Sequence, residues 1–398
     1  MGKETSSSKC EINIQISSTW NYPSYQADYF SKKENGNTRS TSFSFIKRIT
    51  VANRTAISLK NCAIRFSVSP SYCSIDPIKI DFLEAGKNTE VDHFSSVTDY
   101  ASLYALSTSV PGELVVDLVD DGGEIIETKK ASFSFDSISH SLYASNVKEL
   151  IASYITPDDE QIASLVNEAK TILKEKYDST FGGYSYRDPN KVVEEIDSIY
   201  LSILNKKLAL IMSDASPVSC LQNVRLSAQT LTKKEGNCVD FAILFATAIE
   251  AISLRPIVLF TSDSVLVGVY LDESIIGSPF LDNDTELLKL ASKGFDRLIL
   301  LDPTNCSKEK SANFSNALDE GYNALLMNHS FLYAIDIFAS RKDHIFPVPT
   351  SKKTKDGTQI IFPDFTAQSE YSTPTIDVNA RRYLDSDAPS KKNKFDYW

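Results

Sequence analysis

Histidine is scarce in this sequence: four in 398 residues, at positions 93, 140, 329 and 344, never close together. The six cysteines (10, 62, 73, 220, 238 and 306) form no C-x-x-C pair and no Cys/His ligand spacing, which argues against a structural zinc and for reduced thiols. No window approaches the ~18 uninterrupted apolar residues of a membrane span, and the opening MGKETSSSKC has no apolar core of a signal peptide, so the cytoplasm is the default compartment. No G-x-x-x-x-G-K-[ST] loop occurs. The nearest pairings, Ala85-Gly86-Lys87 and Lys355-Asp356-Gly357, lack the spacing that lets backbone amides cradle phosphate. ATP hydrolysis by that route is excluded for this chain, and no cofactor or metal is expected. Positive charge is also in deficit, 41 Lys and Arg against 52 Asp and Glu, a net −11 that argues against nucleic-acid binding by the chain as a whole and leaves room for a local basic patch.

What is present begins with period-two alternation. Between Glu11 and Phe135 the runs INIQIS, FSFIKRITVAN, CAIRFSVSP, IKIDFL, GELVVDLVDDGG and ASFSFDSI are separated by turn residues, a pattern that predicts an antiparallel sandwich of immunoglobulin-like kind. DDGG reads as its clearest hairpin turn. After about Ser137 the period lengthens. Val147 to Tyr154, Asp158 to Tyr177 and Lys191 to Leu208 read as helices, with Asp158 and Asp159 as an N-terminal signal. Gly182-Gly183-Tyr184 reads as a flexible turn between helices. Strand-like runs return as RPIVLF, SVLVGVYL and RLILLD. The fold class expected is α+β: a disordered N-terminus (1–10), the sandwich (11–137), an α+β domain (138–350) and a polar linker or tail (351–398) that opens on the loop-like PTSKKTKDGTQ.

Cys238 stands between these halves of the second domain, in KKEGNCVDFAILFATAIEAISLRP. Phe241, Leu244, Phe245, Ala248, Ile249 and Ile252 form one helical stripe, with Asp240, Thr247 and Glu250 away from it. Asn237 as N-cap would put Cys238 in the first turn, where free N–H groups and the helix dipole favour a thiolate. The bland alternative is a small buried hydrophobe. Arg225 in QNVR and Arg341 in ASRKDH read as forks holding loop carbonyls or carboxylates. STWNYPSYQADYF reads equally as an aromatic ligand face or as core strand plus loop.

A first-turn cysteine on a core helix, followed by strands ending in LILLDPTN, resembles the transglutaminase-like branch of the papain-like cysteine proteins. By that resemblance Cys238 is the nucleophile position and Asp302 the acid that orients a histidine. Aligned on Gly268, Val269, Tyr270 and Leu271, the histidine position falls on Ser264, which is no base near neutral pH. His329 is the one histidine weighed as a substitute from elsewhere.

The order of ITPDDEQI, QNVR, GNCVDFAILFA, VLVGVYL, LDPTN and YAIDIFASRKDHIFPVP, spanning roughly residues 40 to 350, is similar to the N-terminal region of large bacterial superfamily 1 DNA helicases found in anti-phage defence islands. The final NKFDYW is similar to the start of the segment leading into such a helicase. The resemblance implies a non-catalytic sensing or docking module, with a protein partner or a continuing helicase portion. Two alternatives stay open: an active cysteine hydrolase or acyltransferase using Cys238 with a base supplied from elsewhere, and a structural spacer or oligomerisation module.

Overall fold

Alternating apolar residues become strands because a pleated backbone sends successive side chains to opposite faces. The structure is a computed structural model and describes residues 9–20, 45–106, 108–136, 141–144, 148–211, 221–273, 276–292, 294–326, 331–343, 345–354 and 357–361. Its first part contains β1 (Cys10–Ile16), β2 (Thr19–Trp20), β3 (Ile46–Asn53), β4 (Leu59–Ser69), β5 (Cys73–Ile75), β6 (Ile78–Leu83), β7 (Asn88–Val91), β8 (Ser96–Thr98), a short helix α1 (Tyr100–Ala105), β9 (Val110–Val119) and β10 (Ile125–Phe135). They form a three-stranded sheet in the order β1-β3-β7, a five-stranded sheet in the order β2-β10-β9-β4-β6, and the small pair β5-β8. All these pairings are antiparallel except β2 with β10. The DDGG segment closes the β9–β10 hairpin as expected: the Gly123 N–H donates to the Asp120 carbonyl at 3.0 Å with φ +85°, a conformation glycine adopts without penalty.

Trp20 anchors the aromatic centre of this part. It is 1% exposed, stacks on Phe45 with ring centroids 4.1 Å apart, and has Phe133 and Phe135 each at 5.7 Å. In register opposite Phe133 stands Gly112. A Cβ at that position would come within 2.6 Å of the Phe133 ring, so the missing side chain is what lets the aromatics close up. Trp20 is therefore core; the rest of STWNYPSYQADYF from Asn21 lies outside the described residues.

The second part opens on β11 (Ser141–Ala144) and a 3₁₀ helix at Lys148–Tyr154, where the apolar spacing had predicted an α-helix. There follow α2 (Glu160–Tyr177), α3 (Pro189–Asn205), β12 (Ala209–Leu210), β13 (Leu221–Val224), α4 (Ser227–Lys233), β14 (Glu235–Gly236) and α5 (Cys238–Ala251). Next come β15 (Pro256–Thr261), β16 (Val265–Tyr270), β17 (Phe280–Leu281), α6 (Thr285–Ala291), β18 (Leu298–Leu301), α7 (Phe314–Leu326), β19 (Phe331–Asp336) and α8 (Ile337–Lys342). Asp159, not Asp158, caps α2, its carboxylate accepting the Gln161 N–H at 2.8 Å. The stretch read as a polar loop contains an antiparallel pair, β20 (Thr350–Thr354) with β21 (Gly357–Ile361), two runs that alternate only weakly in sequence.

One antiparallel sheet, ordered β17-β19-β15-β16-β18, organises this part. Val258, Phe260, Val265, Val267, Val269 and Leu301 face the cluster that contains α5. Ile257, Leu259, Leu266, Tyr270, Leu298 and Leu300 face the other way, onto Leu287 of α6 and Leu325 of α7. Gly321 of α7 sits directly on the backbone of β18; a Cβ there would lie 2.6 Å from the Leu301 Cα. The first cluster is continuous with the buried side chains of the strand-rich part. The described residues are thus α+β. None of their helices is long and apolar enough to cross a membrane.

The stripe expected on α5 is not a stripe. Every residue from Val239 to Ile249 is buried, so the polar positions cannot face water and each holds a partner instead. Thr247 accepts from the Ser227 hydroxyl of α4 at 2.9 Å. Glu250 takes a two-pronged grip from Arg341 of α8, Nε to Oε1 and Nη2 to Oε2, both at 2.9 Å. The remaining N–H groups of Arg341 donate to the carbonyls of Ala152, Ile155 and Ile345 at 2.7–2.9 Å, as the fork reading of this arginine anticipates. The Gly182-Gly183 turn is likewise pinned: both N–H groups donate to the buried Glu195 carboxylate of α3, at 2.8 and 2.9 Å.

Two consequences for stability follow from these buried charges. Arg341→Met leaves Glu250 unpaired and removes a donor from three buried carbonyls; urea denaturation is expected to show a loss of about 3–5 kcal/mol, largely recovered in Arg341→Met/Glu250→Met. Asp136 is 1% exposed, accepts from the Ser109 hydroxyl at 2.9 Å through Oδ1, and has no partner for Oδ2 among the described residues. Burial pushes its carboxyl up to about 6, with the Ser109 bond opposing. Because the folded value exceeds the unfolded one, its contribution is complete below about pH 4 and is lost as pH rises through about 6. Asp136→Asn is expected to gain on the order of 2 kcal/mol over the parent protein at pH 8 and nothing at pH 4, measured by urea denaturation at both pH values.

Candidate functional site

The start of α5 is built by a reciprocal cap. The Asn237 side chain accepts the Asp240 N–H at 2.9 Å, while the Asp240 carboxylate accepts the Asn237 N–H at 3.0 Å. Asp240 has no exposed surface and draws two further donors from Arg225, its backbone N–H at 2.9 Å and its Nη1 at 3.2 Å. Arg225 also reaches Glu235 at 3.5 Å. The QNVR arginine therefore fixes how the chain turns into the helix, the carboxylate-holding role expected of it. Cys238 is placed by this frame in the first helical position, half-buried.

Topology brings the other two predicted positions to the same end of the layer. β15 runs back along α5, so the β15–β16 turn lies beside the helix N-terminus; β18, antiparallel to β16 with Leu301 opposite Val267, ends on that side as well. Ser264 closes the turn. Its N–H donates to the Thr261 hydroxyl oxygen at 2.9 Å, its carbonyl accepts the Thr261 N–H at 3.0 Å, and the two hydroxyls are 3.2 Å apart. Asp302 follows β18 and caps the 3₁₀ turn Pro303–Cys306, one oxygen accepting both the N–H (2.9 Å) and the hydroxyl (2.6 Å) of Thr304. The other oxygen pairs with Lys310 at 3.2 Å. Lys310 pairs in turn with Glu320 at 3.2 Å, and Glu320 accepts from Asn305 at 2.8 Å. Neither Thr304, Lys310 nor Glu320 was singled out from the sequence.

The electrostatics reverse the expectation for the thiol. Burial pushes Cys238 up to about 11, and the carboxylates of Asp240 and Asp302 add in the same direction; backbone N–H groups at the helix start pull the other way and are outweighed. The helix-terminus effect is opposed here by burial and by the charges of two acids. Arg225, the cation bonded to this frame, is committed to Asp240 and Glu235. His93, the one described histidine, is exposed in the strand-rich part and pairs with Asp92 at 3.6 Å. His140, His344 and the weighed substitute His329 lie outside the described residues. Among the described residues no group of three or more His, Cys, Asp or Glu is placed to hold a metal ion.

No protein-family model matches the chain, and no curated protein matches it. Among solved structures, the crystal structure of red sea bream transglutaminase is similar at 12% identity and a TM-score of 0.22, over 89% of this chain and 62% of that one. The chain thus spans less than two thirds of that protein, and a likeness this loose carries no argument about chemistry.

A thiol with a value near 11 is about 300-fold poorer in thiolate at neutral pH than a free cysteine near 8.5. Alkylation of Cys238 by iodoacetamide at pH 7, followed by peptide mass spectrometry, is expected to run about two orders of magnitude slower than that of free cysteine and to rise steadily up to pH 10.

Proposed function

We propose that the chain is a non-catalytic, transglutaminase-like sensing or docking module, its strand-rich part an immunoglobulin-like sandwich, serving a superfamily 1 helicase in anti-phage defence. The observation that carries the non-catalytic reading is the state of the pair Cys238 and Asp302. Covalent catalysis by a thiol needs a thiolate or a base that makes one. Burial raises the Cys238 thiol to about 11, with the charges of Asp240 and Asp302 adding, and Asp302 spends its oxygens on Thr304 and Lys310. Ser264, at the histidine position of the resemblance, is bonded into its own turn. The assignment to a helicase partner is supported by the order of the sequence motifs alone.

Hydrolysis of small ester and amide substrates, and incorporation of a fluorescent amine into a glutamine-containing protein, separate this reading from that of an active cysteine enzyme. The expected result is no turnover above background in the parent chain and an indistinguishable Cys238→Ala variant. Turnover that disappears in Cys238→Ala would overturn the proposal.

A further inference from the structure

Three chain segments meet at the corner from which α5 departs. The N–H of Ala209 donates to the Lys234 carbonyl at 2.9 Å, β12 and β14 pair in parallel with Ala209 opposite Glu235, and the N–H of Lys308 donates to the Leu208 carbonyl at 2.7 Å. Each segment carries lysines: Lys206 and Lys207, Lys233 and Lys234, and Lys308. All but the half-buried Lys206 are exposed. Two neighbouring carboxylates are paired with cations, Glu168 with Lys206 and Glu235 with Arg225. Glu309, which accepts the Leu210 N–H at 2.8 Å, keeps its charge and offsets that of Lys308. Lys207, Lys233 and Lys234 form no ion pair among the described residues, so a surplus of positive charge stands on an otherwise acidic protein.

The backbone adds a second observation. Lys207 and Lys234 are both in the left-handed region, at φ +53° and +55°, where glycine is the residue without penalty. Placing a long cation there twice, on adjacent segments, is a local expense. Attraction to the helix C-termini explains part of it, since α3 and α4 end just before these residues. It does not explain Lys308, which follows a 3₁₀ turn.

We propose that this lysine corner is a docking surface for the phosphate backbone of a nucleic-acid duplex, bound without regard to sequence. The corner offers point charges with neither arginine forks nor aromatic platforms among its lysines, so it has no means of reading bases or stacking on them. An acidic peptide draws most of its affinity from side chains seated in pockets, which point charges do not supply. Release of counterions supplies binding with no pocket at all. The surface is separate from the chemistry of Cys238 and stands or falls independently of it.

Fluorescence anisotropy with a fluorescein-labelled 20-base-pair DNA duplex tests the proposal. With three phosphates neutralised, affinity is expected to fall roughly fortyfold between 50 and 200 mM salt. Lys207→Gly/Lys234→Gly should weaken binding at 50 mM salt by at least about tenfold and flatten the salt slope by about two. Its thermal midpoint should be no lower than that of the parent, because glycine accepts the positive φ. Lys79→Glu, in the exposed edge strand β6 of the strand-rich part, should leave affinity unchanged. Absence of duplex binding at 50 mM salt, affinity unmoved by the double glycine variant, or displacement of the duplex from these lysines by equimolar polyglutamate would each overturn the inference.

Discussion

A helix with no face on water must answer for every polar atom it carries, and α5 is such a helix. Its apolar side chains fill the space between α2, α3 and the central sheet, while its three polar ones each reach a different element: Asp240 the Arg225 segment, Thr247 helix α4, and Glu250 helix α8. An unpaired polar group in that position costs several times what a surface ion pair gains. The partners are therefore constrained as tightly as the helix itself. Cys238 inherits its place from this arrangement, since the cap that fixes the first turn is the same carboxylate that Arg225 holds.

The same burial raises the thiol of Cys238. A helix N-terminus lowers a thiol's affinity for its proton by a fraction of what desolvation and two carboxylates raise it. Within this frame Asp302 does work of another kind, tying β18 to the turn that follows and, through Lys310 and Glu320, to α7. The acid is a structural joint first. Its sequence context, LILLDPTN, is that of a strand ending in a capped turn.

Much of this architecture was legible in the sequence because it is written in short periods. The strands at 46–53, 59–69, 78–83, 110–119 and 125–135, the DDGG turn, the Asn237 cap and the order of helices then strands all rest on neighbours within a few residues. The Asn237-to-Asp240 spacing also carried a capping-box pattern, a signal that would have brought Asp240 inside rather than on the outer face. What was not legible depends on distance along the chain. Glu250 and Arg341 are 91 positions apart, and nothing in either local pattern names the other. Weak alternation hid the β20–β21 hairpin, and the acids that surround Cys238 come from a helix and from a strand end 64 positions later. The proton affinity of the thiol is a property of that assembly, not of the segment GNCVD.

Gly321 illustrates how such an assembly transmits force. At Gly321 the main chain of helix α7 rests directly on that of strand β18 at Leu301, with no side chain between them at that point. A displacement of that helix at Gly321 has to move the Leu301 backbone, one residue ahead of the turn that Asp302 caps.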